Sequence, residues 1–256
     1  MTLTLRDLYI GYAEDASRHI VAETLSASLS KGTLACLVGA NGVGKSTLMR
    51  TLSGFQPPLR GEVCIDGLPL ERYTSRELSE RVGVVLTERD SAPDLTIEEV
   101  VAIGRMPYTN FWGTLTAKDR QAVDEAIALV GIEALRHKKI GRVSDGERQK
   151  TMIAKALAQQ TEIILLDEPT AFLDYGSKVS VMRLLQRLAH EQGKAILLST
   201  HDLEIAFQTA DEVWVLQRDG LQTGTLETLE QHGVVSAFLA KNGLHYEPEH
   251  RRIVFV

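Results

Sequence analysis

The run Gly39-Ala40-Asn41-Gly42-Val43-Gly44-Lys45-Ser46-Thr47 brings three glycines, one lysine and two hydroxyls together in a single short stretch. Gly39, Gly42 and Gly44 let successive backbone N–H groups turn toward one point, where they can surround phosphate oxygens. Lys45 has the reach for β- and γ-phosphates, and the Ser46 hydroxyl suits a Mg²⁺ shell. A Gly-rich turn with no ligand is the plainer reading of such a run. Its surroundings argue otherwise. The apolar segment Leu34-Ala35-Cys36-Leu37-Val38 before it predicts a buried strand, and Leu48-Met49-Arg50-Thr51-Leu52 after it predicts a helix. That helix start would add partial positive charge. Strand, loop and helix in this order are the setting in which such a loop binds a nucleoside triphosphate.

A second constellation is Ile163-Ile164-Leu165-Leu166-Asp167-Glu168, two carboxylates at the carboxyl end of an apolar strand. In open α/β sheets that edge is where ligands sit. Beside a phosphate loop, Asp167 suits Mg²⁺, directly or through water, and Glu168 suits polarisation of an attacking water. Alone, the same residues would read as a strand ending in a solvated acidic turn.

Several elements must position these groups. Residues 3–10 and 20–29 alternate apolar and polar, as half-buried antiparallel strands do. Glycines bound a strand over 61–67, and Val82-Gly83-Val84-Val85-Leu86 reads as a short buried one. From Thr96 to Gln160 the pattern turns helical, opening on a capping box of Thr96 and Glu99 and keeping Val123, Ile127 and Val130 at helical spacing. Strands return at 163–166, 195–198 and 213–216, and a helix over about 176–192 between the first two implies a parallel crossover sheet. The last ten residues, 247–256, read as one more strand.

The 256 residues suit one or two domains with a substantial core. A net charge of -6 leaves no electrostatic footprint for nucleic acid. Runs such as Ala195-Ile196-Leu197-Leu198 are far too short to cross a bilayer, and the N-terminal residues lack the regions of a signal peptide. Cys36 and Cys64 fall in strand-like stretches without metal-ligand spacing, as reduced core thiols of a cytoplasmic protein do.

With these motifs in place, the chain resembles the ATP-binding subunits of ABC transporters over nearly its whole length. Val143-Ser144-Asp145-Gly146-Glu147-Arg148-Gln149 resembles the family signature Leu-Ser-Gly-Gly-Gln; Ser144 and Gly146 match, while Val143, Asp145 and Glu147 depart. The resemblance implies the family's α/β fold: a P-loop NTPase core (1–86 and 159–256) with an antiparallel β subdomain and an inserted all-helical subdomain (87–158). Residues 244–256 form a short C-terminal extension to this single ATP-binding domain. It further implies ATP and Mg²⁺ as cofactors, held by Tyr12 on adenine, by Gly39, Asn41, Gly42, Gly44, Lys45, Ser46 and Thr47 on phosphates, and by Ser46 and Asp167 on the metal. Glu168, His201 and Lys45 are the implied catalytic groups. Ser144, Asp145, Gly146 and Glu147 would serve the partner's nucleotide in a homodimer, with Asp174 on the loop crossing between subunits. Where the family carries a glutamine after the strand ending at Leu86, this chain has Thr87 and then Glu88, which become alternative metal contacts.

The segment Thr96 to Tyr108, with Gly104-Arg105-Met106-Pro107, resembles import subunits for iron–siderophore complexes, haem and cobalamin. Phe111 and Trp112 follow on an expected exposed loop. The implied function is an ATPase on the inner face of the cell membrane, working with integral permease subunits and, indirectly, a substrate-binding protein. An ABC ATPase in iron–sulfur cofactor assembly and a binding module without turnover are the other classes to weigh.

Overall fold

The computed structural model describes the chain except residues 1, 15–16, 87–92, 111, 242, 249, 251 and 256. Twelve strands and nine α-helices are described. The strands are β1 (Thr2–Glu14), β2 (Ser17–Ser30), β3 (Leu34–Val38), β4 (Arg60–Ile65), β5 (Leu68–Pro69), β6 (Val82–Val85), β7 (Ile163–Leu166), β8 (Ala195–Ser199), β9 (Glu212–Gln217), β10 (Gly220–Gly224), β11 (Leu244–Glu247) and β12 (Arg252–Phe255). The helices are α1 (Lys45–Leu52), α2 (Ser75–Ser79), α3 (Ile97–Ile103), α4 (Ala117–Val130), α5 (Asp145–Ala158), α6 (Tyr175–His190), α7 (Leu203–Thr209), α8 (Leu226–Gln231) and α9 (Val234–Ala240).

Two sheets carry the architecture. The larger runs β10-β9-β3-β8-β7-β6, and the smaller β2-β1-β4-β5. In the larger sheet β9, β3, β8, β7 and β6 are mutually parallel, and β10 closes one edge antiparallel to β9. β3, β7 and β8 are continuous apolar runs because both of their faces are covered. Side chains alternate across the sheet. Cys36, Ile164, Leu166, Ile196, Leu198 and Val215 face a core shared with α3 to α6. Leu37, Ile163, Leu165, Leu197 and Trp214 face the other way, toward Leu48, Met49 and Leu52 of α1 and the strands β1 and β2. That second face carries the site.

Between Ile97 and Ala158 the described regular structure is helical, and each α-helix there opens on a capping box: Thr96 with Glu99, Thr116 with Asp119, and Ser144 with Glu147. Each box satisfies two otherwise orphaned N–H groups. Arg105, just past α3, ties this part together. Its guanidinium is 2% exposed. It donates to Asp119 Oδ1 at 3.0 Å, to the Ala158 carbonyl at 2.7 Å and to Gln160 Oε1 at 2.9 Å, and lies 4.0 Å from the centre of the Tyr108 ring. Gly104 is packed so closely against the Lys155 carbonyl of α5 that a Cβ there would collide with it.

The tail differs from the single strand read over 247–256. It is a hairpin of β11 on β12, separate from the two larger sheets. Tyr246 sets its ring edge-on to Phe207 of α7, with centroids 5.8 Å apart. Pro248 just past β11 lacks an N–H, so the strand turns back there instead of extending. Cys36 and Cys64 are both buried free thiols.

Candidate functional site

The phosphate loop leaves β3 and feeds α1 as read from the sequence. Gly44 takes the N-cap of α1 at φ 112°, a left-handed geometry costly to other residues. A Cβ there would also lie 2.5 Å from Val21 Cγ1, so the position excludes a side chain on two grounds. Lys45 is 6% exposed. Its ammonium donates to the carbonyls of Gly39 at 3.0 Å and Ala40 at 3.4 Å. Burial lowers its pKa, and the nearby charges of Glu168 and then Asp167 partly restore it. An arriving phosphate offers the same ammonium a charged acceptor, which is a stronger partner than a carbonyl.

A cleft of about 410 Å³ opens over this loop, lined by Tyr12, Asn41, Gly42, Gly44, Lys45, Ser46, Thr47, Glu168 and His201 among others. The structure thus brings together residues from β1, the phosphate loop, the end of β7 and the end of β8. The Tyr12 phenol pairs with Thr47 Oγ1 at 3.1 Å. Tyr12 also lines a larger neighbouring groove of about 670 Å³ that includes Arg50, Phe55 and Leu86. Its ring therefore stands at the boundary of the two spaces.

At the far side of the cleft, His201 Nε2 meets Glu168 Oε1 at 2.5 Å. Glu168 has φ 48°, left-handed for a residue with a Cβ, which costs about 1–2 kcal/mol. The geometry is held by its neighbours: the Glu168 N–H donates to Ser199 Oγ at 2.9 Å, and Ser199 Oγ donates to Asp167 Oδ1 at 2.6 Å. Ser199 escaped the sequence reading. The signal was its place in Leu198-Ser199-Thr200-His201, a hydroxyl at the end of an apolar strand. Only the pairing of β7 with β8 shows what it touches.

The other predicted residues lie apart from this cleft within one chain. Ser144 is the N-cap of α5, and its hydroxyl and N–H both engage the Glu147 carboxylate, at 3.0 and 2.9 Å. The Ser144 N–H in particular holds Glu147 below the usual carboxylate range. Asp145 is exposed and 3.8 Å from Arg148. Gly146 packs on α6, where a Cβ would lie 2.9 Å from Ser177 Oγ. Asp174 caps α6 by accepting from the Ser177 N–H at 2.9 Å. None of these residues lines the phosphate-loop cleft. Thr87 and Glu88 lie outside the described residues. Trp112 is 83% exposed, whereas Phe111 is not among the described residues.

Comparison with known proteins decides the family. The family model described as ABC transporter matches residues 22–171. An uncharacterized ABC transporter ATP-binding protein of Methanocaldococcus jannaschii is 39% identical over 84% of this chain and 73% of its own length. The chain belongs to the ABC transporter ATP-binding family. It is 36% identical to the ferric enterobactin transport ATP-binding protein of Escherichia coli, over 82% of this chain and 76% of that one. Among solved structures, a dimeric ATP-binding cassette in a post-hydrolysis state with ADP and Pi superposes with a TM-score of 0.73 at 25% identity, covering 88% of this chain and 98% of that chain. This ABC ATPase hydrolyses ATP. Among its described residues no helix is long and apolar enough to cross a membrane.

Proposed function

We propose that this ABC ATPase energises import of a metal-chelate compound, of the iron–siderophore, haem or cobalamin kind, through separate permease subunits. The observation that carries the reading is the likeness to the ferric enterobactin transport protein, which runs through both the phosphate-loop core and the helical segment. Residues 1–86 and 159–256 act as the nucleotide-binding core and 87–158 as the helical subdomain that meets the permease at the inner face of the membrane. A substrate-binding protein delivers the chelate outside.

The working unit is a homodimer, with each ATP between the phosphate loop of one subunit and the signature of the other. What supports this is the separation within one chain of Ser144 from the cleft that holds Lys45. Mg²⁺ fits the donor set, because the Ser46 hydroxyl and Asp167 carboxylate are hard oxygen ligands and the phosphates supply the rest. When bound, the ion neutralises charge on the β- and γ-phosphate oxygens. Lys45 leaves its two carbonyls for the γ-phosphate. Glu168 Oε1 is held by His201, which leaves Oε2 to accept the proton of the water that attacks the γ-phosphorus as ADP departs.

The test is recovery from membranes. A tagged chain solubilised from its native membrane should carry an integral permease with it, and cells lacking the chain should lose uptake of one labelled chelate. Recovery of the chain with soluble cofactor-assembly proteins, and unchanged uptake of iron–siderophore, haem and cobalamin, would refute the reading.

A further inference from the structure

We propose that Ser199 is a positioning residue for ATP hydrolysis, setting the metal-binding carboxylate and the backbone of the catalytic glutamate through a single hydroxyl. The inference rests on Asp167 as the metal-binding carboxylate and Glu168 as the base.

The register of the sheet dictates the contact. β7 and β8 pair in parallel, with Ile163 opposite Ala195 and Leu166 opposite Leu198. One step further along both strands places Asp167 opposite Ser199. Alternation puts both on the face that carries α1 and the phosphate loop, because Leu165 and Leu197 already face that way. The two side chains are thus cross-strand neighbours at the sheet edge where the ligand sits.

At that point a serine does what an apolar residue cannot. Its Oγ–H donates to Asp167 Oδ1 at 2.6 Å, and a lone pair accepts the Glu168 N–H at 2.9 Å. The hydroxyl is engaged both as donor and as acceptor, and Ser199 is 0% exposed, so water does not compete for it. The bond to Asp167 fixes one oxygen of the carboxylate proposed to bind the metal. The bond to Glu168 holds an N–H whose residue sits at φ 48°. Two residues further on, the same chain segment supplies His201 to Glu168 Oε1. Ser199 therefore sets the backbone of the glutamate while His201 sets its carboxylate.

Groups behind a metal ligand characteristically change affinity or activity about 10–100-fold when removed. Three variants separate the hydroxyl from the packing: Ser199→Ala, Ser199→Thr and Ser199→Val. Thr and Val have the same shape and differ in the hydroxyl, so their comparison stands even if Ser199→Ala folds poorly. Two measurements use protein that is not turning over. Amide hydrogen exchange of metal-free protein should speed up across residues 168–171 in the Ala and Val variants. Mn²⁺ binding to the complex with a non-hydrolysable ATP analogue, followed by electron paramagnetic resonance, should weaken about tenfold in the same two. Nucleotide affinity in EDTA should stay within about twofold, because the phosphate loop is untouched, while kcat falls about tenfold or more and Thr restores it. Equal behaviour of Thr and Val in exchange and Mn²⁺ binding would overturn the proposal, as would wild-type values for Ser199→Ala. If wild-type protein shows no divalent-ion dependence, the metal reading fails, and the exchange comparison still decides whether Ser199 holds the Glu168 backbone.

Discussion

Replacing Arg105 with alanine should loosen the helical segment far more than a surface change would. Arg105 and Asp119 have side chains 2% and 5% exposed, so the substitution leaves a buried carboxylate without its cation. Removing one member of a buried pair costs about 3–5 kcal/mol. The Ala158 carbonyl also loses its 2.7 Å donor, although such losses within one network do not add. Asp119 still has its cap, since Thr116 N–H and Oγ donate to Oδ2 at 2.9 and 2.6 Å, which keeps the effect toward the lower end. A loss of 3 kcal/mol corresponds to roughly 150-fold faster local opening. Native-state amide exchange over residues 97–158 reads this directly, because opening there need not unfold the parallel sheet. Arg105→Lys should fall between, since one ammonium cannot reproduce the fork that reaches Asp119, Ala158 and Gln160 together. Exchange rates for Arg105→Ala within about fivefold of wild type would refute the reasoning, since the network would then be worth less than 1 kcal/mol.

Glu168→Gln should retain ATP binding and hydrolyse it about a hundredfold or more slowly, measured as phosphate release; near-normal turnover would remove Glu168 as the base. Mixing Lys45→Ala with Ser144→Arg should recover some ATP-dependent dimerisation on size-exclusion chromatography, because one composite site in each heterodimer is intact; no recovery would argue against sites shared between chains. In acid, stability should decline. Glu99, Glu147 and Asp119 are held below their ordinary range chiefly by hydrogen bonds within their caps, with the Thr96 and Ser144 N–H groups leading for the glutamates and the Thr116 hydroxyl for Asp119. A depressed folded-state pKa contributes stability that is present above the unfolded value of about 4 and is lost as pH falls through the folded value. Thr96→Ala and Ser144→Ala remove the hydroxyl that accepts the Glu99 and Glu147 N–H but keep the backbone N–H that leads each shift. Each should therefore cost about 1 kcal/mol as a lost N-cap with most of the acid sensitivity retained, seen by denaturant melts; loss of that sensitivity in the variants would refute the assignment to the N–H groups.

What the sequence disclosed was whatever is local in the chain. The phosphate loop, the strands at 34–38 and 163–166 and the box of Thr96 with Glu99 each declare themselves within a few residues. So does the long helix, read over about 176–192 and observed as Tyr175–His190. Contacts between distant segments did not. Ser199 and Asp167 are 32 residues apart, and only the parallel register makes them neighbours. Arg105 was visible as part of a motif, yet its burial depends on α4 and α5 closing over it. Asp119 escaped notice as a cap because the box is usually recognised by glutamate or glutamine at that position. The tail misled for a related reason: its closing apolar run, Ile253-Val254-Phe255-Val256, suggests a strand but not its partner.

Helix α5 begins at the signature and ends beside Arg105, and its 14 residues make it about 21 Å long. Its first turn is wedged on Ser177 through Gly146, and its last turn is clamped by Gly104 and by the Arg105 guanidinium. A rod held this firmly at both ends has little room to bend, so a small tilt at its first turn reappears at the other end. There, Met106, the residue after Arg105 in the chain, stands largely exposed. In the homodimer proposed above, a tilt of the signature would therefore reach Met106 through this helix, and Gly104 and Arg105 would set the gearing.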